Sequence, residues 1–333
     1  MAVGNNYTTF DASGAGGIGL GLRESLADKI YQISPTETPA LTMSRKEKAE
    51  AVYEEWLIDT LAAAVSTNAA IEGDDATVAA VTPQTRVGNR CQIAQKAFGI
   101  TGTLEAVKKA GRAKEMGYQL SKKSAEIKRD IESSLLANLA SVTGNETTAR
   151  VLGGLPTWLT TNLGSAGSNF GFGTGGSGGG FSAGNTVVRV NGTPRPFIQL
   201  QVDNAMQSAW QQGGKPSMLL LGAKQRGVFS GFDGISSQQQ VDVKDRMIYG
   251  AADVYVSNWG NLRVAPDRFI RQVSSIDYDV FGLEPEYLAI GELRPFFVRE
   301  LAVTGDREQR QLIWEGTLKV LNEAAHFLIT DLN

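Results

Sequence analysis

Two adjoining stretches decide how this chain reads: residues 63–103, AAVSTNAAIEGDDATVAAVTPQTRVGNRCQIAQKAFGITGT, and residues 104–139, LEAVKKAGRAKEMGYQLSKKSAEIKRDIESSLLANL. In the first, small residues give way to a turn at Glu72-Gly73-Asp74-Asp75. Thr77 to Phe98 then carries β-branched and polar residues in partial alternation, with Pro83 interrupting the first half. This pattern predicts a long two-stranded hairpin with an exposed tip. An isolated ribbon is marginal in water, so it has to lean on its own domain or on a neighbouring subunit. In the second stretch Thr103 stands where an N-cap belongs, with Glu105 in the first turn. Leu104, Val107, Ala110, Ala113, Tyr118, Ala125, Ile127, Ile131, Leu135 and Leu139 approximate a 3.6-residue stripe, no proline intervenes, and Gly144 follows. A single helix of ~36 residues would be about 54 Å long, more than a compact domain of this size needs. Its stripe is thin and is interrupted by Gly111 and Gly117. The other faces carry Lys108, Lys109, Arg112, Lys114, Lys122, Lys123, Lys128 and Arg129 against Glu105, Glu115, Glu126, Asp130 and Glu132, a local excess of +3. That reads as a solvated face with i,i+4 pairs, or as a face that meets a polyanion or an acidic partner.

Working outward, residues 1–24 are polar, Gly-rich and without period, and read as a flexible arm. They contain Gly14-Ala15-Gly16-Gly17-Ile18-Gly19, a formal match to G-x-G-x-x-G. That motif binds a dinucleotide only after a strand and opening a helix, and nothing before Gly14 offers such a strand. Residues 25–62 predict a short helix, a turn at Ser34–Pro39, and a second helix over Ala49–Leu61 from the spacing of Val52, Trp56, Leu57 and Leu61. Residues 164–185, GSAGSNFGFGTGGSGGGFSAGN, hold ten glycines and four serines in 22 residues, which predicts a flexible loop or linker and a domain boundary. Phe170, Phe172 and Phe181 are its candidate anchors on a neighbour. Residues 186–270 predict a mixed α/β unit. It has a helix over 197–212 (Ile198, Val202, Met206 and Trp210 near one face), an apolar strand Met218–Leu221, alternation from Val241 to Lys244, and a hairpin of 254–256 with 262–264 around Gly260. In 271–333 a strand near Leu293-Arg294-Pro295 leads to a turn at Thr304-Gly305-Asp306. A long strand, Gln311–Leu321, is then expected to pair with a last strand, His326–Ile329.

Composition removes most chemistry. At 333 residues the chain is long enough for about two domains of ~150 residues. It has one histidine, His326, and one cysteine, Cys91, so neither an intramolecular disulfide nor a zinc site of several Cys or His residues can form. A catalytic His326 would need a nucleophile and an orienting carboxylate, and the sequence points to neither; it reads as a structural histidine. Cys91 reads as a half-buried thiol. Asp11, Asp74 and Asp75 lack the ladder and closing Glu of a calcium loop. No catalytic, cofactor-binding or metal residue is therefore named. The net charge of −3 gives no case for strong nucleic-acid binding. No apolar run reaches the ~18 residues of a membrane helix, and the N-terminus has no secretory pattern. An arm, a long hairpin, an overlong helix and a glycine loop read as parts built to contact copies of the same chain.

Four stretches carry a resemblance: Ile33–Pro39 with Glu55-Trp56 and Asp59; Val254-Tyr-Val-Ser-Asn-Trp-Gly-Asn-Leu-Arg-Val-Ala-Pro-Asp-Arg268; Leu293-Arg-Pro295; and Glu300-Leu301 through Thr304-Gly305-Asp306 to Leu318, Asn322, Ala325 and Asp331-Leu332. In these the chain resembles the major capsid proteins of tailed bacteriophages, of the Hong Kong 97-like α+β fold. The resemblance implies an N-terminal arm at 1–24, the start of a peripheral domain at 25–62, and an extended E-loop at 63–103 overlapping a neighbour. It further implies a peripheral domain with its spine helix at 104–163, the glycine-rich loop at 164–185, an axial domain at 186–270, and a return to the peripheral domain at 271–333. It implies a structural virion protein, not an enzyme, self-assembling through non-covalent hexamers and pentamers into an icosahedral head around double-stranded DNA held without sequence specificity. Scaffolding and portal proteins are implied partners, with a cementing or decoration protein a further one, and assembly would take place in the host bacterial cytoplasm. Only about 24 residues precede the first helix, which implies a separate scaffolding protein. Residues 63–95 contain no lysine, the first being Lys96, so the covalent E-loop cross-link of the prototype is not expected. An encapsulin-like compartment is the same-fold alternative, and a nucleotide-dependent enzyme using Gly14–Gly19 the alternative of another class.

Overall fold

A computed structural model describes residues 34, 36–73, 75, 78, 80–163, 170–232, 254–270, 272–273, 276–277, 279–303 and 305–333. The arm at 1–24 with Gly14–Gly19 and Asp11, the helix expected before Ser34, Asp74, and the strand expected over 241–244 lie outside these residues.

Pro39 opens α1 (Pro39–Met43), where its fixed φ suits the first helical turn. The strands β1 (Arg45–Lys48), β2 (Tyr53–Ile58), β3 (Thr85–Arg90) and β4 (Gln92–Thr101) follow. β2 pairs antiparallel with β3, from Tyr53↔Arg90 to Ile58↔Thr85. The helix expected over Ala49–Leu61 is thus a strand: Trp56 and Ile58 turn inward while Leu57 faces solvent, the period-two pattern of a ladder. The Trp56 indole N–H donates to the Val320 carbonyl at 3.1 Å, and its ring lies 5.3 Å from that of Trp158. The hairpin is therefore displaced from its expected place. Its limbs are 53–58 and 85–90, and every described residue of the 59–84 connection is exposed.

The expected 36-residue helix is two helices. α2 (Gly102–Ala106) is capped by Thr101, whose hydroxyl accepts the Leu104 N–H. α3 (Glu115–Leu136) has 22 residues, about 33 Å at 1.5 Å per residue. Gly111, at φ +73, lets the chain turn between them. Leu104, Val107 and Leu139, expected on the buried stripe, are exposed, while Ile127, Ile131, Leu135 and Leu136 are buried.

The remaining elements are β5 (Gly180–Ser182), β6 (Asn185–Val187), α4 (Gln199–Gln211), β7 (Met218–Leu221), α5 (Ala223–Phe229), β8 (Val254–Ser257), β9 (Gly260–Pro266), β10 (Gln272–Val273), β11 (Ile276–Asp277), β12 (Val280–Leu283), β13 (Leu288–Glu300), β14 (Arg307–Val320) and β15 (Phe327–Ile329). α4 buries Val202 and Met206 as expected, while Ile198 and Trp210 are exposed. The β8–β9 hairpin turns at Gly260, φ +149.

Two sheets organise these elements. In the first, order β1-β13-β14-β4, β1 runs parallel to β13 and the other pairs are antiparallel. β13 carries register shifts between Glu292 and Phe297, around Pro295, which has no N–H for the ladder. The second has order β15-β12-β7-β9-β8. β15 was expected beside the long strand β14; it pairs with β12 instead, Val280 opposite Ile329. A short 3₁₀ turn at Glu323–Ala325, capped by the Asn322 side chain, redirects the chain there. Phe327, Leu328 and Ile329 are all fully buried, which suits a strand covered on both faces. The second sheet thus takes strands from both sides of residue 270. One hydrophobic core lies between α3, the 152–163 segment and the first sheet, and a second lies between α4, α5 and the second sheet.

The described part of the glycine-rich segment is folded onto these cores and is not a linker. Phe172 is buried, and Phe181 stacks on Trp158 at 5.6 Å with a 9° interplanar angle. The anchors therefore seat on their own chain and not on a neighbour. Gly171, at φ +84, brings the backbone so close that a Cβ would stand 1.2 Å from the Leu163 carbonyl oxygen. Glycine here permits contact between backbones that no other residue allows.

Candidate assembly surfaces

The two residues with chemistry of their own are sealed in the interior. His326 is fully buried, its Nδ1 accepts the Glu284 N–H at 3.1 Å, and burial pushes its pKa down to about 4. A neutral imidazole holding the β12 terminus is a structural element. Cys91, expected to be half-buried, is wholly buried between β3 and β4. Its thiol donates to the Ala51 carbonyl at 3.4 Å, and burial pushes the pKa up to about 11, so it is a poor nucleophile.

Buried charge ties distant parts of the chain together. The two side-chain oxygens of Glu132 accept the N–H groups of Ala40 and Leu41, both at 2.7 Å, and so fix α1 on α3. Arg189 reaches Asp279 at 2.9 Å and Asp331 at 3.4 Å. The second Asp331 oxygen accepts the N–H of Gly173 at 3.0 Å and of Gly192 at 2.9 Å, anchoring the glycine-rich segment to the C-terminus.

The outside is different. Residues 59–84 leave the β2–β3 base with no ladder of their own among the described residues, and Leu61, Val78 and Val81 are 99%, 93% and 92% exposed. Val65 and Ile71 are also exposed. A second apolar surface lies along β8, where Val254 and Val256 face solvent while Tyr255 points inward, near Trp210, whose ring stands 5.0 Å from Trp259. A third is the far end of the β13–β14 hairpin, with Phe297, Val298 and Val303 exposed. Apolar side chains left outward in this number mark surfaces that other molecules cover. Composition alone named none of them. The missed signal is a run from Ala49 to Thr85 without a single cation, in which the valines and leucines beyond Ile58 acquire no core-facing period. No helix among the described residues is long and apolar enough to cross a membrane.

These features have counterparts. A family model described as SU10 major capsid protein matches residues 2–333. A major capsid protein of Escherichia phage Phieco32 is 36% identical over 120 residues; the match spans 36% of this chain and 34% of that protein, about a third of its length. Among solved structures, a chain of Gordonia phage Cozz has a TM-score of 0.59 at 12% identity, over 100% of this chain and 97% of its own. The capsid of a native GTA particle has a TM-score of 0.59 at 11% identity, covering 96% and 98%. An encapsulin complex from Synechococcus elongatus has a TM-score of 0.55 at 10% identity, covering 94% and 93%. The fold is thus the Hong Kong 97-like capsid fold. A match over all but the first residue leaves one assignment: the chain belongs to the SU10 major capsid protein family.

Proposed function

We propose that this chain builds the icosahedral head of a tailed phage, closing non-covalently into hexamers and pentamers around double-stranded DNA. Heterologous contacts between identical chains close into rings when the rotation between copies allows it, and many large interfaces together hold a shell without covalent links. The observation that carries this reading is the 59–84 projection, exposed at every described residue on a body that is otherwise well cored. Such a segment is stable in a single arrangement only when another copy covers it. The 59–84 projection on its β2–β3 base then acts as the E-loop, and 104–163 as peripheral domain with α3 as its spine; 186–270 supply most of the axial domain. Scaffolding, portal and decoration proteins are the partners proposed for assembly in the bacterial cytoplasm, and the virion capsid is the destination.

Replacing residues 60–83 by a short Gly-Ser linker tests this directly. The β2–β3 base should keep the chain folded, and shells should fail to form. Shells at normal yield from that variant would overturn the reading. The encapsulin neighbour supports a second reading, a compartment for protein cargo. Extracted particles decide between the two by holding nuclease-protected DNA or a cargo protein.

A further inference from the structure

Two carboxyl groups meet in the interior without a cation between them. Glu132 on α3 is fully buried, and Asp267, the residue just past β9, is 2% exposed. Their side chains are hydrogen-bonded to each other. An ionised carboxylate has no hydrogen to donate, so this contact exists only while a proton stands between the two. Their other bonds differ in kind. Both Glu132 oxygens accept N–H groups of another element, those of Ala40 and Leu41 in α1. One Asp267 oxygen accepts the Phe269 N–H at 2.7 Å, inside its own turn. Its second oxygen is buried and meets no N–H or O–H of any other described residue.

The surroundings supply no opposite charge. α1 carries no charged residue, and Glu37 before it is exposed. On α3, Lys128 is exposed, Asp130 is taken by Lys96 of β4, and the Arg129 guanidinium lies over the Phe269 ring at 5.7 Å. In the turn, Arg268 is exposed. On β14, Glu315 is held by Arg150 and Arg294, and Lys319 by Glu47 and Glu54.

We propose that the proton shared by Glu132 and Asp267 is a latch between the end of β9 and α3, and that its loss in alkali frees the 267–270 turn from α3 while α1 stays in place. The inference concerns the single chain and does not depend on the shell reading. Hydroxide takes the proton as water and leaves two carboxylates in contact, a like-charge pair with little solvent to screen it. The side that yields follows from the hydrogen bonds. Glu132 keeps the two donors of α1, whereas the donor to Asp267 travels with its own turn. Phe269 then leaves Arg129, and Ile270, 2% exposed, leaves the core. The Asp267 N–H, held by the Leu221 carbonyl at 2.8 Å, loosens with them. Burial and then the second carboxyl raise Glu132 to about 8, so the latch is closed below that pH and opens as pH rises through it.

Amide hydrogen exchange of the full chain tests this, followed in peptides covering 262–270, 36–43 and 199–211 and corrected for the intrinsic rise of exchange with pH. From pH 7 to pH 9 the protection of 262–270 should fall by about tenfold, the change that one proton allows across this range. The other two peptides should keep theirs. In Asp267→Asn the amide donates to the Glu132 carboxylate without a shared proton, so protection of 262–270 should stay level to pH 9. Should that variant fail to fold, Glu132→Gln replaces it, with its amide donating to Asp267. Unchanged protection in the unsubstituted chain, an equal fall in 36–43 or 199–211, or an equal fall in the amide variant each overturns the proposal.

Discussion

Arg189 and Asp279 form an ion pair of 2.9 Å in which neither side chain reaches solvent. Asp331 joins the same guanidinium at 3.4 Å, and the Thr330 hydroxyl donates to Asp279 at 2.6 Å. The cluster fastens the segment after β6 to β12 and to the C-terminus. Arg189→Met removes the cation and leaves two carboxylates buried, which should cost roughly 3–5 kcal/mol. Urea unfolding of the unassembled chain measures this; a loss below about 1 kcal/mol would show the cluster to be a minor part of the fold.

Glu132 makes stability depend on pH. Burial and the neighbouring Asp267 carboxyl push it up to about 8, and Asp267 is raised along with it. The folded chain holds a proton here that the unfolded chain releases near 4.5. The resulting stabilisation is complete below that pH and is lost as pH rises toward 8, with a slope of up to ~1.4 kcal/mol per pH unit. Glu132→Gln cannot titrate and should flatten stability between those limits. An unchanged slope in the variant would assign the dependence to other groups.

Two glycines should respond to alanine with opposite signs. Gly117 lies within α3 with nothing within 4 Å of its Cβ position, so Gly117→Ala should stabilise by about 0.5–1 kcal/mol. Gly171 is at φ +84 against the Leu163 carbonyl, so Gly171→Ala should cost more than about 2 kcal/mol. Thermal melting of the two variants checks both signs.

What was legible in the sequence follows from the range of the contacts involved. α4, β7 and the β8–β9 hairpin are legible in the sequence because Val202 with Met206, the apolar run 218–221 and the turn at Gly260 are local signals. β2 has the spacing of a helix in sequence, because its partner β3 begins 27 residues beyond its own end, at Thr85, and only that pairing turns Trp56 and Ile58 into an inward face. The break between α2 and α3 rests on one positive φ at Gly111, in a span whose composition suits a continuous helix. The partner of β15 is not legible in the sequence, because nothing in His326–Ile329 distinguishes β14, its neighbour in sequence, from β12, with which it pairs. The glycine-rich segment reads as a flexible loop or linker because composition reports freedom in the unfolded chain, whereas Gly171 is used for close packing in the folded one. The assembly surfaces were legible as parts lacking a core of their own, though not as residues.

Shells of this chain should carry no covalent mesh through the projection. Residues 63–95 have no lysine, and the first, Lys96, is engaged by Asp130 at 2.5 Å. Mature particles boiled in reducing detergent should run as a single band near 35.6 kDa. A ladder of multimers would reveal a cross-link elsewhere in the chain.

The central claim, that this chain exists to enclose a genome with copies of itself, is tested most directly by negative-stain electron microscopy of its high-mass fraction from the native source. Uniform icosahedral shells filled with DNA are the predicted result. A chain that remains a monomer or small oligomer in native lysate would contradict it.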